Sequence, residues 1–247
     1  MAGHSHAANV ARRKNAVDAK RGKLFSKLAR AVISAARQGG PDPEQNLKLK
    51  YAIEKAKAGN MPKDNIERAI KSGSGTKDGD DFEELNYEGY AACGVAVLVA
   101  TLTDNRKRTA PEVKYTFEHH GGNMGASGSV SFMFDFRSIF VVETGDRSED
   151  DMMEIAIEAG AEDVQMDEDL ATIIADPTEF LGVKEALEAA ELVLLSGETG
   201  YLPQNTIKLE TEEDAKKVLK LLDALEENDD VQSVYANHEF PEGFQPD

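Results

Sequence analysis

Near residue 81 the spacing of the apolar residues changes, and with it the set of folds open to the chain. Before that point apolar side chains recur every three to four residues, the period of a helix. Beyond it, short apolar runs alternate with helical patterns, so the second part must build sheets covered by helices. The Gly, Ser, Lys and Asp residues of 72–81 mark a linker between the two.

The first part reads as three short helices. Over residues 18–37, Leu24, Phe25, Leu28, Ala29, Val32 and Ala36 share one side when successive residues turn by about 100°. Lys20, Lys23, Lys27, Arg30 and Arg37 share the opposite arc, with Ser26 and Ser34 on or beside it. Gly39-Gly40 ends this helix, because glycine accepts the left-handed conformation of a C-terminal cap. Asp42 as N-cap and Pro43 in the first turn announce a second helix, which turns Leu47, Tyr51 and Ile53 inward and stops near Gly59-Asn60. A third begins at Pro62, packs Ile66, Ala69 and Ile70, and ends at Gly73. Three helices with brief connections make a small bundle over residues 1–75.

In the second part, residues 94–103 form a buried strand and Thr109 with Glu112 forms a capping box for a helix ending at His119-His120-Gly121. Residues 130–136 follow as a strand. Later come a short strand at 206–210, an amphipathic helix at 212–227 with Val218, Leu221, Leu222 and Leu225 inward, and a strand at 231–236. This is two βαβ units on one sheet, the ferredoxin-like plan. The intervening residues repeat the plan, with strands at 138–143, 164–166, 170–175 and 192–195 and helices at 148–159 and 178–190. The expected fold is therefore α+β. An N-terminal three-helix module is followed by two ferredoxin-like α/β domains, one (137–203) inserted in the other (82–136 plus 204–247).

Charge is distributed as unevenly as periodicity. The chain carries a net charge of −18, yet residues 1–75 hold 16 Lys+Arg against 6 Asp+Glu. Residues 76–247 hold 12 against 40, and the insert alone has 3 against 18. A basic head on an acidic body suits oriented contact with a polyanion through one module. Lys and Arg at helical spacing meet successive phosphates and release counterions. The cluster Arg12, Arg13 and Lys14 precedes the stripe, and Arg21 extends it. The nucleic-acid-binding set is therefore Arg12, Arg13, Lys14, Lys20, Arg21, Lys23, Lys27 and Arg30. Arg106, Lys107 and Arg108, in the loop after the first body strand, are a possible second contact. The acidic insert either faces a basic protein partner or serves solubility.

Other chemistry finds little support. The glycine-rich segment at 121–128 follows a helix, whereas a phosphate cradle precedes one, so it reads as a tight helix-to-strand connection. His119 and His120 point about 100° apart on a helix and there is no Cys-x-x-Cys or His-Glu-x-x-His, so no metal and no cofactor is expected. Cys93, the only cysteine, reads as a buried structural thiol and rules out an intrachain disulfide. No nucleophile–base pair can be assembled, so the reading is of a protein that is not an enzyme. No apolar run approaches the roughly 18 residues of a membrane span and no secretory signal opens the chain, so a cytoplasmic location is expected.

Several ordered motifs carry a resemblance. They are Met1-Ala-Gly-His-Ser5, Arg13-Lys14, Asp18-Ala-Lys-Arg-Gly-Lys23 and Phe25-Ser-Lys27. They continue with Asn60-Met-Pro-Lys-Asp-Asn-Ile66, Arg68-Ala-Ile70, Tyr87-Glu-Gly-Tyr90 and Leu102-Thr-Asp-Asn-Arg106. Arg108-Thr-Ala110, Gly121-Gly-Asn123, Gly125, Gly128-Ser-Val130 and Leu202-Pro-Gln-Asn-Thr206 complete the set. In these the chain resembles the YebC/PmpR family, which includes the mitochondrial translational activator of cytochrome c oxidase subunit one. It departs from the family pattern at His6-Ala7, where Lys-Trp is common, at Ala11-Arg12, where Lys-His is common, and at Lys107, where Asn is common. The resemblance implies a helical head with two α/β domains and a non-enzymatic regulator of gene expression. Bacterial members are mostly described as probable DNA-binding transcriptional regulators. Others look like ribosome-associated translation factors, which would make ribosomal RNA or tRNA the partner. No Asn or Gln is ranged along the Lys20 to Arg30 arc to read base edges, so on physics alone shape or backbone binding to RNA stands level with operator recognition.

Overall fold

A computed structural model describes residues 21–75, 82–167 and 169–244. The head holds helices α1 (Arg21–Gly39), α2 (Leu47–Ala58) and α3 (Lys63–Gly73). Their core is Leu28, Val32 and Ala36 of α1 with Leu49 and Ala56 of α2 and Ile66 and Ala69 of α3. The helices approach closely at Gly73. A Cβ there would lie 2.5 Å from the Ile33 carbonyl oxygen and 2.8 Å from the Ala36 Cβ. Ser34, expected beside the basic arc, is buried instead and accepts a hydrogen bond from the Gln38 amide.

The second helix starts later than Asp42 suggests. Its N-cap is Asn46, whose Oδ1 accepts from the Leu49 amide at 3.0 Å while its Nδ2 donates to the carbonyls of Ala35 and Gly40 at 2.8 Å each. Asp42 closes only a turn, accepting from the Glu44 amide at 3.0 Å. Burial decides between them: Asn46 is 6% exposed, and an amide that donates as well as accepts satisfies that site where a carboxylate cannot. Leu47 consequently faces outward and Leu49 fills the core. Tyr51 leaves the head altogether, donating to the Pro177 carbonyl at 3.1 Å and setting its ring edge-on to Phe180.

The body contains two four-stranded antiparallel sheets. The first has the order β3-β1-β2-β9, from β1 (Glu83–Tyr90), β2 (Ala96–Thr103), β3 (Asn123–Met124) and β9 (Val231–Ala236). Helices α4 (Arg106–His119) and α7 (Glu212–Glu226) supply its core side chains Val113, Phe117, Val218, Leu221 and Leu225. Sequence reasoning missed β1, whose half-exposed residues alternate too weakly to announce a strand. The strand expected at 206–210 is only β8 (Ile207–Lys208), paired parallel with β10 (His238–Glu239) outside this sheet.

The second sheet has the order β5-β6-β4-β7, from β4 (Phe134–Glu143), β5 (Asp163–Asp167), β6 (Leu170–Ala175) and β7 (Val193–Pro203). Helices α5 (Glu149–Glu158) and α6 (Phe180–Ala189) cover it, giving the ferredoxin-like order. The strands expected at 130–136 and 138–143 are one. Residues Ser131–Met133 form a single helical turn, and β4 then runs unbroken through the expected boundary at residue 137. Phe134 packs with Ala96, Leu98 and Tyr235 under the first sheet, while Phe140 and Val142 lie in the core of the second. The fold is α+β, a helical head followed by mixed sheets and helices.

Candidate nucleic-acid interface

Lys23, Lys27 and Arg30 stand one above another on α1, as four- and three-residue steps require. They do not form the free solvent arc that the sequence suggests. The Lys23 ammonium donates to the Glu227 carbonyl and lies 3.2 Å from the Glu227 carboxylate and 3.5 Å from that of Asp229. Lys27 donates to the Glu226 carbonyl at 2.6 Å, and Arg30 to the Asp229 carbonyl and the Asp230 Oδ1 at 3.0 Å each. Those carbonyls sit at the C-terminal end of α7 and just beyond it. The last turn of a helix leaves carbonyls without intrahelical partners and carries the negative end of the dipole, so cations gather there. Burial beneath this contact drives the Lys27 pKa from the usual 10.5 down to about 8, although Glu226 pulls it back up. Arg21 is exposed, with its guanidinium 5.4 Å from the Phe25 ring centroid. Arg12, Arg13, Lys14 and Lys20 lie outside the described residues.

The second basic cluster is also placed differently from expectation. Arg106, Lys107 and Arg108 make the first turn of α4 rather than a loop, because Asn105 is the N-cap and accepts from the Arg108 amide at 3.2 Å. Thr109, expected to cap, is inside the helix and buried; its hydroxyl donates to Asp230 Oδ2 at 2.7 Å. Arg108 reaches the same oxygen at 2.7 Å and Asp104 at 2.9 Å, and Thr103 lies 3.2 Å from it. Arg106 and Lys107 point to solvent.

Asp230 thus gathers both clusters. One carboxylate oxygen holds Arg30 of the head and the other holds Arg108 of the body. Its side chain is 5% exposed; burial pushes its pKa up, but Arg108 and Thr109 more than offset this and hold it below the carboxylate range. Sequence reasoning could not find it, since among Glu226, Glu227, Asp229 and Asp230 nothing marks one acid as buried. A little further along α4, Tyr115 is 64% exposed and stacks on His119.

A second buried carboxylate shapes the glycine-rich connection. Glu88 of β1 accepts from the amides of Gly128, Val130 and Ser131, each at 2.7 Å. Burial pushes its pKa up, and those three amides bring it below the ordinary range. Cys93, expected to be buried, is exposed, with φ at +60° in the turn between β1 and β2. The late motif from Leu202 to Thr206 lines an open groove with Asp135, Arg137 and Glu162. Among the described residues no helix is long and apolar enough to cross a membrane.

Comparison with known proteins places this geometry in context. A probable transcriptional regulatory protein of Aquifex aeolicus is 52% identical, with 98% of this chain and 97% of that protein covered. Another so named, from Caldanaerobacter subterraneus subsp. tengcongensis, is 52% identical over 97% of this chain and 98% of its own. A third, from Rubrobacter xylanophilus, is 49% identical over 98% of this chain and 97% of its own. The crystal structure of a conserved hypothetical protein from Aquifex aeolicus superposes with a TM-score of 0.82 at 52% identity, covering 94% of this chain and 95% of that one. Residues 5–76 match the TACO1/YebC protein N-terminal domain and residues 82–238 match the TACO1/YebC second and third domain. With both patterns matched in order, the chain belongs to the TACO1/YebC family.

Proposed function

We propose that this protein is a non-enzymatic regulator of gene expression that binds nucleic acid, as a DNA-binding transcriptional regulator in the cytoplasm. The observation that supports the reading is the Asp230 junction, whose carboxylate holds Arg30 of the α1 stripe and Arg108 of the α4 triad and so brings the two basic clusters together. Arg21, Lys23, Lys27 and Arg30 on one side and Arg106, Lys107 and Arg108 on the other would track a phosphate backbone, with Arg12, Arg13, Lys14 and Lys20 extending the surface. The names of the relatives support a regulator. The acidic lobe would be repelled by the same ligand, which orients the contact, and its charge suits a basic protein partner.

One observation favours a second reading, a ribosome-associated translation factor that binds ribosomal RNA or tRNA. Tyr115, exposed and stacked on His119, offers an aromatic face to an unpaired base on the helix that carries Arg106 and Lys107. The readings separate by experiment. Replacing Lys20, Lys23 and Lys27 together by Gln should weaken binding to every sequence and flatten its salt dependence, by a slope of about 0.9 per lost duplex-phosphate contact. Unchanged affinity removes the stripe from the account. A transcriptional regulator should prefer one promoter fragment over scrambled duplex by at least about a thousandfold. A translation factor should instead co-sediment with ribosomes and show no such preference.

A further inference from the structure

The residues best placed to bind phosphates are already occupied by the chain itself. From the last residue of α7 the sequence runs Glu226-Glu227-Asn228-Asp229-Asp230, four acids in five residues. This segment presents Lys23, Lys27 and Arg30 with the carbonyl oxygens of Glu226, Glu227 and Asp229 and the carboxylates of Glu227, Asp229 and Asp230. A row of carbonyl and carboxylate oxygens meeting three cations along one helix face resembles the row of oxygens that a nucleic-acid backbone would offer.

We propose that the acidic segment 226–229 is an internal stand-in for a polyanion, which masks the α1 stripe in the free protein and must be displaced before nucleic acid can use it. This rests on the reading of the stripe as a nucleic-acid surface. The two ends of the contact differ in kind. At one end Arg30 meets Asp230, which is buried and also held by Arg108, Thr103 and Thr109, so this end is anchored. At the other, Lys23 meets Glu227 and Asp229, whose side chains are 46% and 67% exposed. Exposed ion pairs contribute little net stability, so this end releases readily. Lys27 between them favours release, since its ammonium is held desolvated and regains solvent or phosphate on opening. The segment therefore sets a threshold: only a ligand offering several phosphates at once outcompetes it.

The test compares the full-length protein with two double variants of equal charge. Glu227→Gln with Asp229→Asn removes carboxylates from the mask and leaves Asp230 in place. Glu212→Gln with Glu213→Gln removes the same charge from the opposite end of α7, where Glu212 and Glu213 occupy the first turn. Affinity for a random-sequence DNA duplex and an RNA hairpin of similar length is measured at low salt. The mask variant should bind at least about fivefold tighter than wild type, the low end of ordinary coupling between sites. The control should change less than about twofold. Equal gains in both variants would mean net charge alone matters and would overturn the mask. No gain in the mask variant overturns it too. A second measurement reads masking without nucleic acid: Lys23, which meets both substituted carboxylates, should react with an amine-modifying reagent more slowly than exposed Lys63 in wild type, and faster in the mask variant. Equal reactivity in both proteins overturns the mask while leaving the stripe's role to the Lys20, Lys23 and Lys27 variant. If that variant binds as well as wild type, the stripe is not the nucleic-acid surface, and the competition proposed here falls with it.

Discussion

Two buried carboxylates in the same lobe do different work. Glu88 takes all three of its short hydrogen bonds from backbone amides of one loop, residues 128–131. Asp230 takes its bonds from side chains on three separate elements, Arg30 of α1, Thr103 of β2, and Arg108 and Thr109 of α4. A carboxylate bound by amides fixes the course of its own chain and is indifferent to what lies beyond. One bound by side chains couples the elements that carry them. The first is a local fold determinant, and the second is one of the places where head and body meet.

That contrast can be broken by substitution. Glu88→Ala should have the larger effect, about 4 kcal/mol lost in a denaturant titration, because three partly or fully buried amides lose their acceptor together. Nucleic-acid affinity, measured where the variant is still folded, should barely move. Asp230→Asn should cost about 2 kcal/mol, since one acceptor oxygen survives while the charge facing two arginines is lost. Here the head should loosen, read as faster hydrogen exchange in α1 than in α3. If the two variants loosen α1 equally, the distinction fails.

Acid sharpens the same comparison. Both carboxyls have folded-state pKa values below their unfolded ones, so each stabilises the protein above the ordinary carboxylate range and loses that contribution as pH falls through its lowered value. The stability gap between wild type and each variant should close on acidification. The smallest effect belongs to Lys27, which faces Lys23, Glu226, Glu227 and Asp229. Its folded pKa of about 8 lies below the unfolded 10.5, so the unfolded chain binds the extra proton and stability rises with pH between the two. Relative to Lys27→Met, wild type should gain roughly 1 kcal/mol between about pH 7.5 and about pH 9 in chemical denaturation.

Much of the fold was legible in the sequence because burial left a period. The helix of Leu28, Val32 and Ala36 and the helix of Val218, Leu221 and Leu225 each bury one continuous face, and strand β2 is buried on both. Where burial was partial the pattern failed. Strand β1 hides little beyond Glu88 and Gly89, and Asn46 resembles any loop residue until its two carbonyl partners are seen. The candidate site was half legible. Lys23, Lys27 and Arg30 were identifiable by spacing, but their partners lie about 200 residues away and no local rule connects them. Asp230 was invisible because an acid's burial depends on which distant donors reach it. Cys93 was misread for a related reason, since it sits at the exposed tip of a turn between Ala91 and Val95, and it is those neighbours that are buried.

The unbroken run of β4 has a mechanical consequence. Ten residues at about 3.3 Å each make a spar roughly 33 Å long, rooted in one core at Phe134 and in another at Phe140 and Val142. Along its whole length it is braced by β7, from Phe134 beside Pro203 to Glu143 beside Val193. Such a ribbon resists hinging more than a single-chain linker would, so motion of one lobe is passed in part to the other.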